Sequence, residues 1–250
     1  MSRFILFLRS LLFAVLLTVA TVVWALLCLL FAPLPYRHRY YWTTRWNVFV
    51  IWAAKVCCGI RYQVKGMENL PDGPAILLSK HQSAWETIFY PMLMPRPLAF
   101  VFKKELLYIP FFGWGIGLLR MIPIDRSRGR DAFSQVVEKG RDRLANGQWL
   151  ILFPEGTRIP RGQKGTYKSG GTRLAVATQT PVVPIAMNSA DCWPRNAFIK
   201  TPGLITISIG KPIASEGLSA AELMQQVENW IESEMRVIAP AAYKNTRTSS

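Results

Sequence analysis

Ala75-Ile76-Leu77-Leu78-Ser79-Lys80-His81-Gln82-Ser83-Ala84-Trp85-Glu86 is the stretch that decides how this chain folds. The run 75–78 is short, apolar and uncharged, as a strand buried on both faces requires. Ser83 has the character of a helix start. His81 and Glu86 therefore fall in a strand-to-helix loop, where binding and catalytic groups concentrate. A carboxylate beside an imidazole fixes its tautomer and stabilises the imidazolium formed when the ring takes a proton. No serine or cysteine nucleophile motif accompanies the pair, so the histidine would activate a hydroxyl of the substrate. A plainer reading stands beside this one. Ser83-Ala84-Trp85-Glu86 also fits a capping box, with Glu86 reaching back to the Ser83 backbone. Both roles need an anionic glutamate at a helix N-terminus, so they are compatible.

Outward from this stretch, short apolar runs alternate with amphipathic segments. The pattern predicts strands over 61–65, 75–79, 98–102, 121–124, 149–153, 182–187 and 204–209. It predicts helices over 83–94, 131–145, 170–178 and 220–238. Alternation of this kind implies an α/β domain with a mixed, largely parallel central sheet flanked by helices. Ligands of such sheets bind beyond the carboxyl ends of strands. No internal repeat is present. The polar tail 244–250 reads as disordered.

The first 60 residues have a different texture. Positions 11–32 carry no charged residue, which is long enough to cross a bilayer core as a helix. A signal peptide is the alternative, since Arg3 and Arg9 precede the run. The run is longer than a signal core, and a bulky basic flank follows it without a small-residue cleavage site. A retained anchor is the better reading. Tyr36, Tyr40, Tyr41, Trp42 and Trp46 follow, where an aromatic interfacial belt would sit. The next apolar stretch, 46–60, is interrupted by Lys55 and too short for a full span, so it reads as lying in the interface or as dipping in and returning. The expected organisation is an anchor with an interfacial helix over 1–60, a catalytic domain over 61–243 and the tail. Basic residues flank the anchor on both sides, with more after it. That favours a cytoplasmic domain, although a hairpin with both ends cytoplasmic is equally allowed.

The 250 residues hold 30 basic and 15 acidic side chains, a net charge of +15. An anionic partner follows: nucleic acid, a membrane surface or a phosphorylated substrate. Half the residues are hydrophobic, which excludes a mostly disordered chain. The four cysteines form no CxxC or Cys/His cluster, so no metal site is expected. Between Arg96 and Lys168 there are 14 basic and 6 acidic residues, a net of +8. Three clusters at expected strand ends lie in or near this segment: Ile124-Asp125-Arg126, Phe153-Pro154-Glu155-Gly156-Thr157-Arg158, and Val182-Val183-Pro184-Ile185. Each has an ordinary reading as a basic loop, a turn, or an edge strand or bulge. Read together they suggest a phosphate site. Arginine forks match phosphate oxygens, Gly156 permits close approach, and Glu155 could orient a cation or the nearby backbone. Lys103-Lys104 add two more cations. Gly113-Trp114-Gly115-Ile116-Gly117 is a weak nucleotide-like signal, read instead as tight packing or an interfacial loop.

In order and spacing, His81-x4-Glu86, Ile124-Asp125-Arg126, Phe153–Arg158 and Val182–Ile185 resemble the four motifs of the glycerolipid acyltransferases, most closely those acting on 1-acylglycerol 3-phosphate. The resemblance covers about residues 60 to 215. It implies that His81 is the general base and Glu86 its partner. It implies that Arg126 and Arg158, with Glu155, Gly156, Thr157, Lys103 and Lys104, bind or shape the site of a phosphorylated acceptor. The fourth motif would wall an acyl channel. The implied reaction transfers an acyl group from acyl-CoA or acyl-carrier protein to the sn-2 hydroxyl of lysophosphatidate, at the cytoplasmic face of the bacterial inner membrane, without metal or cofactor. Membrane and phosphate would then account for the charge, and nucleic acid would not be a partner. Two alternatives remain: another lyso-lipid acceptor, or a non-enzymatic basic membrane adaptor. The family usually has aspartate where this chain has Glu86, a difference of one methylene that keeps the charge.

Overall fold

The computed structural model describes the backbone of residues 1–110, 112–125 and 129–243, and the side chains of these except 112 and 129–132. Seven strands are hydrogen-bonded in the order β1-β7-β6-β2-β5-β3-β4. They are β1 (Ile60–Lys65), β2 (Ile76–Ser79), β3 (Leu98–Lys103), β4 (Ile122–Ile124), β5 (Trp149–Leu152), β6 (Val182–Met187) and β7 (Gly203–Ile209). The helices are α1 (Arg3–Phe31), α2 (Tyr36–Cys58), α3 (Trp85–Leu93), α4 (Phe112–Gly117), α5 (Gly129–Ala145), α6 (Gly170–Thr178), α7 (Ala220–Ile238) and α8 (Pro240–Tyr243). Pairs β1–β7, β2–β6 and β3–β4 are parallel and β6–β7 is antiparallel, the mixed, largely parallel sheet expected. Contacts divide the chain into two compact units.

One unit comprises residues 1–59, 87–150 and 198–200. Here α1 and α2 run antiparallel. Arg9 Nε donates to the Cys57 carbonyl near one end, and Trp24 Nε1 to the Trp42 carbonyl toward the other. The apolar stretch from Trp46 is continuous with the aromatic cluster in α2 as far as Cys58, and Ile60 already belongs to β1. Gly59, at φ 72°, ends α2 in the left-handed conformation and donates back to Lys55. Asn47 Nδ2 donates to the Ile88 carbonyl, and Tyr40 accepts the Leu98 N–H at 2.9 Å, fixing α2 to α3 and β3. A Cβ at Gly113 would lie 2.1 Å from the Leu107 carbonyl oxygen, so the glycine-rich stretch is a packing device at the start of α4. α1 is one helix long and apolar enough to cross a membrane, with hydropathy 2.7 over its most apolar window.

The other unit comprises residues 60–86, 151–197 and 201 onward. All four β2 residues are buried, as the uncharged run requires. A Cβ at Gly171 would lie 2.6 Å from Leu78 Cδ2, so α6 approaches β2 closely. α7 begins with a full capping box of Ser219 and Glu222 and buries Leu223, Val227 and Ile231 on one face. Each such side chain contributes about 1.5–3 kcal/mol on burial. An edge strand or bulge is the ordinary reading of Pro184, yet β6 lies between β2 and β7. The antiparallel ladder with β7 starts at Ile185↔Ile209, so the missing N–H of Pro184 falls just beyond it.

Candidate active site

β2 does not stop at Ser79. The Lys80 N–H donates to the Ile185 carbonyl at 3.0 Å and carries the parallel ladder one residue further. His81 follows, with its backbone held on both sides by the segment after β5. Its N–H donates to Glu155 Oε2 at 3.0 Å, and its carbonyl accepts the Ile159 N–H at 2.7 Å. The ring stacks on Phe153 at a centroid separation of 3.9 Å and an angle of 18°. Nδ1 lies 2.6 Å from Glu86 Oε2. A carboxylate accepts, so Nδ1 carries the proton and Nε2 keeps its lone pair. The imidazole side chain is 13% exposed, the Glu86 side chain not at all.

Glu86 combines helix-capping contacts with a contact to the His81 ring. Its Oε1 accepts the Gln82 and Ser83 N–H groups at 2.8 and 2.9 Å, while Ser83 Oγ accepts the Trp85 N–H. That is the capping arrangement, although α3 starts at Trp85 rather than Ser83. Oε2 is left for His81. Oε1 also accepts from the Ser189 hydroxyl, in the turn after β6. Four donors around one buried carboxylate offset a desolvation cost of several kcal/mol. Sequence reasoning missed Ser189, because an isolated serine 103 positions away gives no local signal.

The third motif supplies structure as well as charge. Both Glu155 oxygens are engaged with protein: Oε1 with Lys80 Nζ at 2.7 Å and the Gly165 N–H at 3.2 Å, Oε2 with His81. Burial pushes the Glu155 carboxyl up from its ordinary value, against the pull of Lys80. Gly156 donates to the Phe153 carbonyl and adopts φ +66°, where any other residue is strained. Thr157 is exposed and Arg158 half-buried. Among the described residues, the Arg158 guanidinium has no ion-pair partner within 4.0 Å. Lys168, which sequence reasoning did not single out, brings its ammonium to 3.4 Å from the place of a Gly156 Cβ. Among the described residues neither Arg158 nor Lys168 has an acidic partner within 4.0 Å, so both cations suit an anion.

Lys103 and Lys104 are exposed at the end of β3, in the other unit. Arg126 lies outside the described residues. Among the functional residues expected from sequence, the structure therefore brings together His81, Glu86 and Glu155, with Gly156, Thr157 and Arg158 following on the same turn.

The family model for acyltransferases matches residues 61–188. The 1-acyl-sn-glycerol-3-phosphate acyltransferase of Pseudomonas aeruginosa is 46% identical over 237 residues, 93% of this chain and 92% of its own. This chain belongs to the acyltransferase family. The mouse acyltransferase of the same name, alpha form, is 32% identical over 66% of this chain and 59% of its own. The crystal structure of the lysophosphatidate acyltransferase PlsC from Thermotoga maritima matches with a TM-score of 0.78 at 26% identity, covering 92% and 94% of the two chains.

Proposed function

We propose that this acyltransferase moves an acyl group from a thioester donor, acyl-CoA or acyl-carrier protein, to the sn-2 hydroxyl of 1-acylglycerol 3-phosphate, giving phosphatidate. The 2.6 Å contact of His81 Nδ1 with Glu86 carries this reading. It leaves Nε2 basic and Glu86 ready to stabilise the imidazolium. Nε2 takes the hydroxyl proton as the oxygen attacks the thioester carbonyl. The tetrahedral adduct collapses, the C–S bond breaks, and the imidazolium returns its proton to the leaving thiolate. No covalent enzyme intermediate is needed, because a thioester is already activated. The nearby hydroxyls support that step order. Ser79 Oγ donates to the Lys80 carbonyl and Ser189 Oγ to Glu86, and Ser83 Oγ accepts from Trp85. Cys192, the cysteine of this unit, is buried with its thiol pushed up to about 11 by burial, so it is not a ready nucleophile.

The acceptor phosphate binds Arg158 and Lys168 in this reading. α1 holds the enzyme in the bilayer, and the dyad works on the cytoplasmic side. The test is acyl transfer by His81→Ala in purified membranes, from lysophosphatidate and a panel of CoA and carrier-protein thioesters. Loss of a positioned base lowers kcat by about 10²–10⁴-fold. Parental activity in the folded variant would overturn the assignment. A parent that acylates other lyso-lipids but not lysophosphatidate would redirect the acceptor.

A further inference from the structure

Lys80, the residue before the base, has no part in that chemistry and is fully buried. Its ammonium lies 2.7 Å from Glu155 Oε1, 2.7 Å from Glu232 Oε1 and 3.2 Å from the Gln163 carbonyl oxygen. The Tyr167 ring is 5.8 Å away, and the Tyr167 hydroxyl donates to Glu232 Oε1 at 2.8 Å. A buried ion pair of this kind is a weak stabilising device, since apolar groups of the same volume often serve as well or better. What the cluster does is fix direction. Glu155 has two oxygens: one faces Lys80, and the other accepts the His81 N–H. If Lys80 moves, Glu155 turns and His81 loses the grip on its backbone.

Glu232 sits in the buried stripe of α7 and is 152 positions from Lys80 in sequence. Helix α7 packs on β6, and its register is set by the Ser219–Glu222 capping box and the buried Leu223, Val227 and Ile231. A continuous set of short contacts therefore runs from α7 through Glu232, Lys80 and Glu155 to the His81 N–H. We propose that Lys80 and Glu232 are positioning residues of the reaction: they hold Glu155 against the His81 backbone and so aim Nε2. The proposal rests on His81 being the base. It extends the machinery beyond the four motifs to a helix outside them.

The test uses the full chain in membranes and compares Glu232→Gln with Glu228→Gln. Glu228 lies one turn earlier on α7 and pairs with Lys164. Glu232→Gln keeps an acceptor for Lys80 and removes one charge. A displaced base costs up to about 10²-fold, so the expected result is a 10- to 100-fold lower kcat at saturating substrates, with both KM values within about two-fold of the parent. Glu228→Gln should keep the parental kcat. Equal kcat in parent and Glu232→Gln overturns the proposal, as does a raised KM for lysophosphatidate with kcat unchanged. Should Glu232→Gln fail to fold, Glu232→Asp, which keeps the charge and shortens its reach to Lys80, is judged by the same two outcomes. His81→Ala alone separates the premises. If it is active, the base is wrong. If it is inactive while Glu232→Gln matches the parent, only the positioning role is wrong. On the residual activity of His81→Ala, adding Glu232→Gln should change nothing, whereas a merely structural role would lower it further.

Discussion

α1 and the loop after β2 invert the usual rule in opposite directions. α1 turns apolar side chains outward: Phe4 and Leu30 are each 70% exposed. The loop and the turn after β5 that holds it turn charges inward, with Lys80 and Glu86 fully buried and Glu155 nearly so. The remedies differ. An exposed leucine loses roughly 25 cal/mol per Å² of stabilisation, and only a change of solvent recovers it for a whole helix face. A buried ion costs several kcal/mol and has to be matched locally, atom by atom. Lys80, Glu86 and Glu155 each have short polar contacts to named partners, so this region should respond sharply to single atoms. α1 has a length and a mean character, so it should respond to the solvent around it.

The sharpest way to break that contrast is Glu86→Gln. The amide is nearly isosteric, yet its NH2 has to face either the His81 Nδ1–H or the Gln82, Ser83 and Ser189 donors. One buried donor is left unsatisfied, at about 1–3 kcal/mol. The neutral side chain also cannot stabilise the imidazolium. A loss of about 10²–10⁴-fold in kcat is expected, with a lower melting temperature. Glu86→Asp keeps the charge but is one methylene too short to reach all four donors, so its loss should fall between parent and Gln. Should Gln work as well as Glu, the carboxylate would be a helix cap only and the dyad reading would fail.

The arginine test sharpens the same contrast one step away from the buried charges. Arg158→Ala should raise the KM for lysophosphatidate about ten-fold or more, leaving the KM for the acyl donor nearly unchanged, because a charge-assisted contact in a partly dry site is worth about 1.5–3 kcal/mol. Arg158→Lys should rescue only in part, since a point charge lacks the planar fork. A monoacylglycerol serves as the phosphate-free acceptor. The Ala variant should discriminate less between the two acceptors than the parent does. Unchanged discrimination would assign Arg158 to the turn rather than to phosphate.

How much of this was legible in the sequence follows from range. β6, α6 and α7 have the bounds that periodicity and caps predicted, because caps, alternation and apolar stripes are local signals. His81 and Glu86 were legible for the same reason: five residues and a helix start bring them together. Glu155 was legible as a motif residue but not in its geometry, because its partners Lys80 and His81 lie 75 and 74 positions away. Ser189 and Glu232 were invisible. Each is an ordinary polar residue until the sheet order places it on a carboxylate or an ammonium. The extent of α2 was not legible, since Lys55 interrupts the apolar run without breaking the helix.

The smallest effect on chemistry should come from α1, where the contrast can be tested without touching the site. Val19 is 58% exposed in the middle of the helix. Val19→Lys replaces an outward apolar group by a charge. On a helix facing water, a surface change of this kind stays within about 0.5 kcal/mol. At the centre of a membrane-spanning helix it costs about 2.5–3.5 kcal/mol. In detergent micelles, which let the charged head reach water, kcat should match the parent. In native membranes the variant should extract at alkaline pH and high salt far more readily than the parent. Leu223→Ala offers the opposite signature, because that side chain is buried on α7. It should lower the melting temperature in detergent, by about 2–5 kcal/mol of stability, without releasing the protein from membranes. If Val19→Lys is retained as firmly as the parent, α1 does not lie in hydrocarbon. Its exposed face would then need a protein partner, and the two inversions would have the same remedy after all.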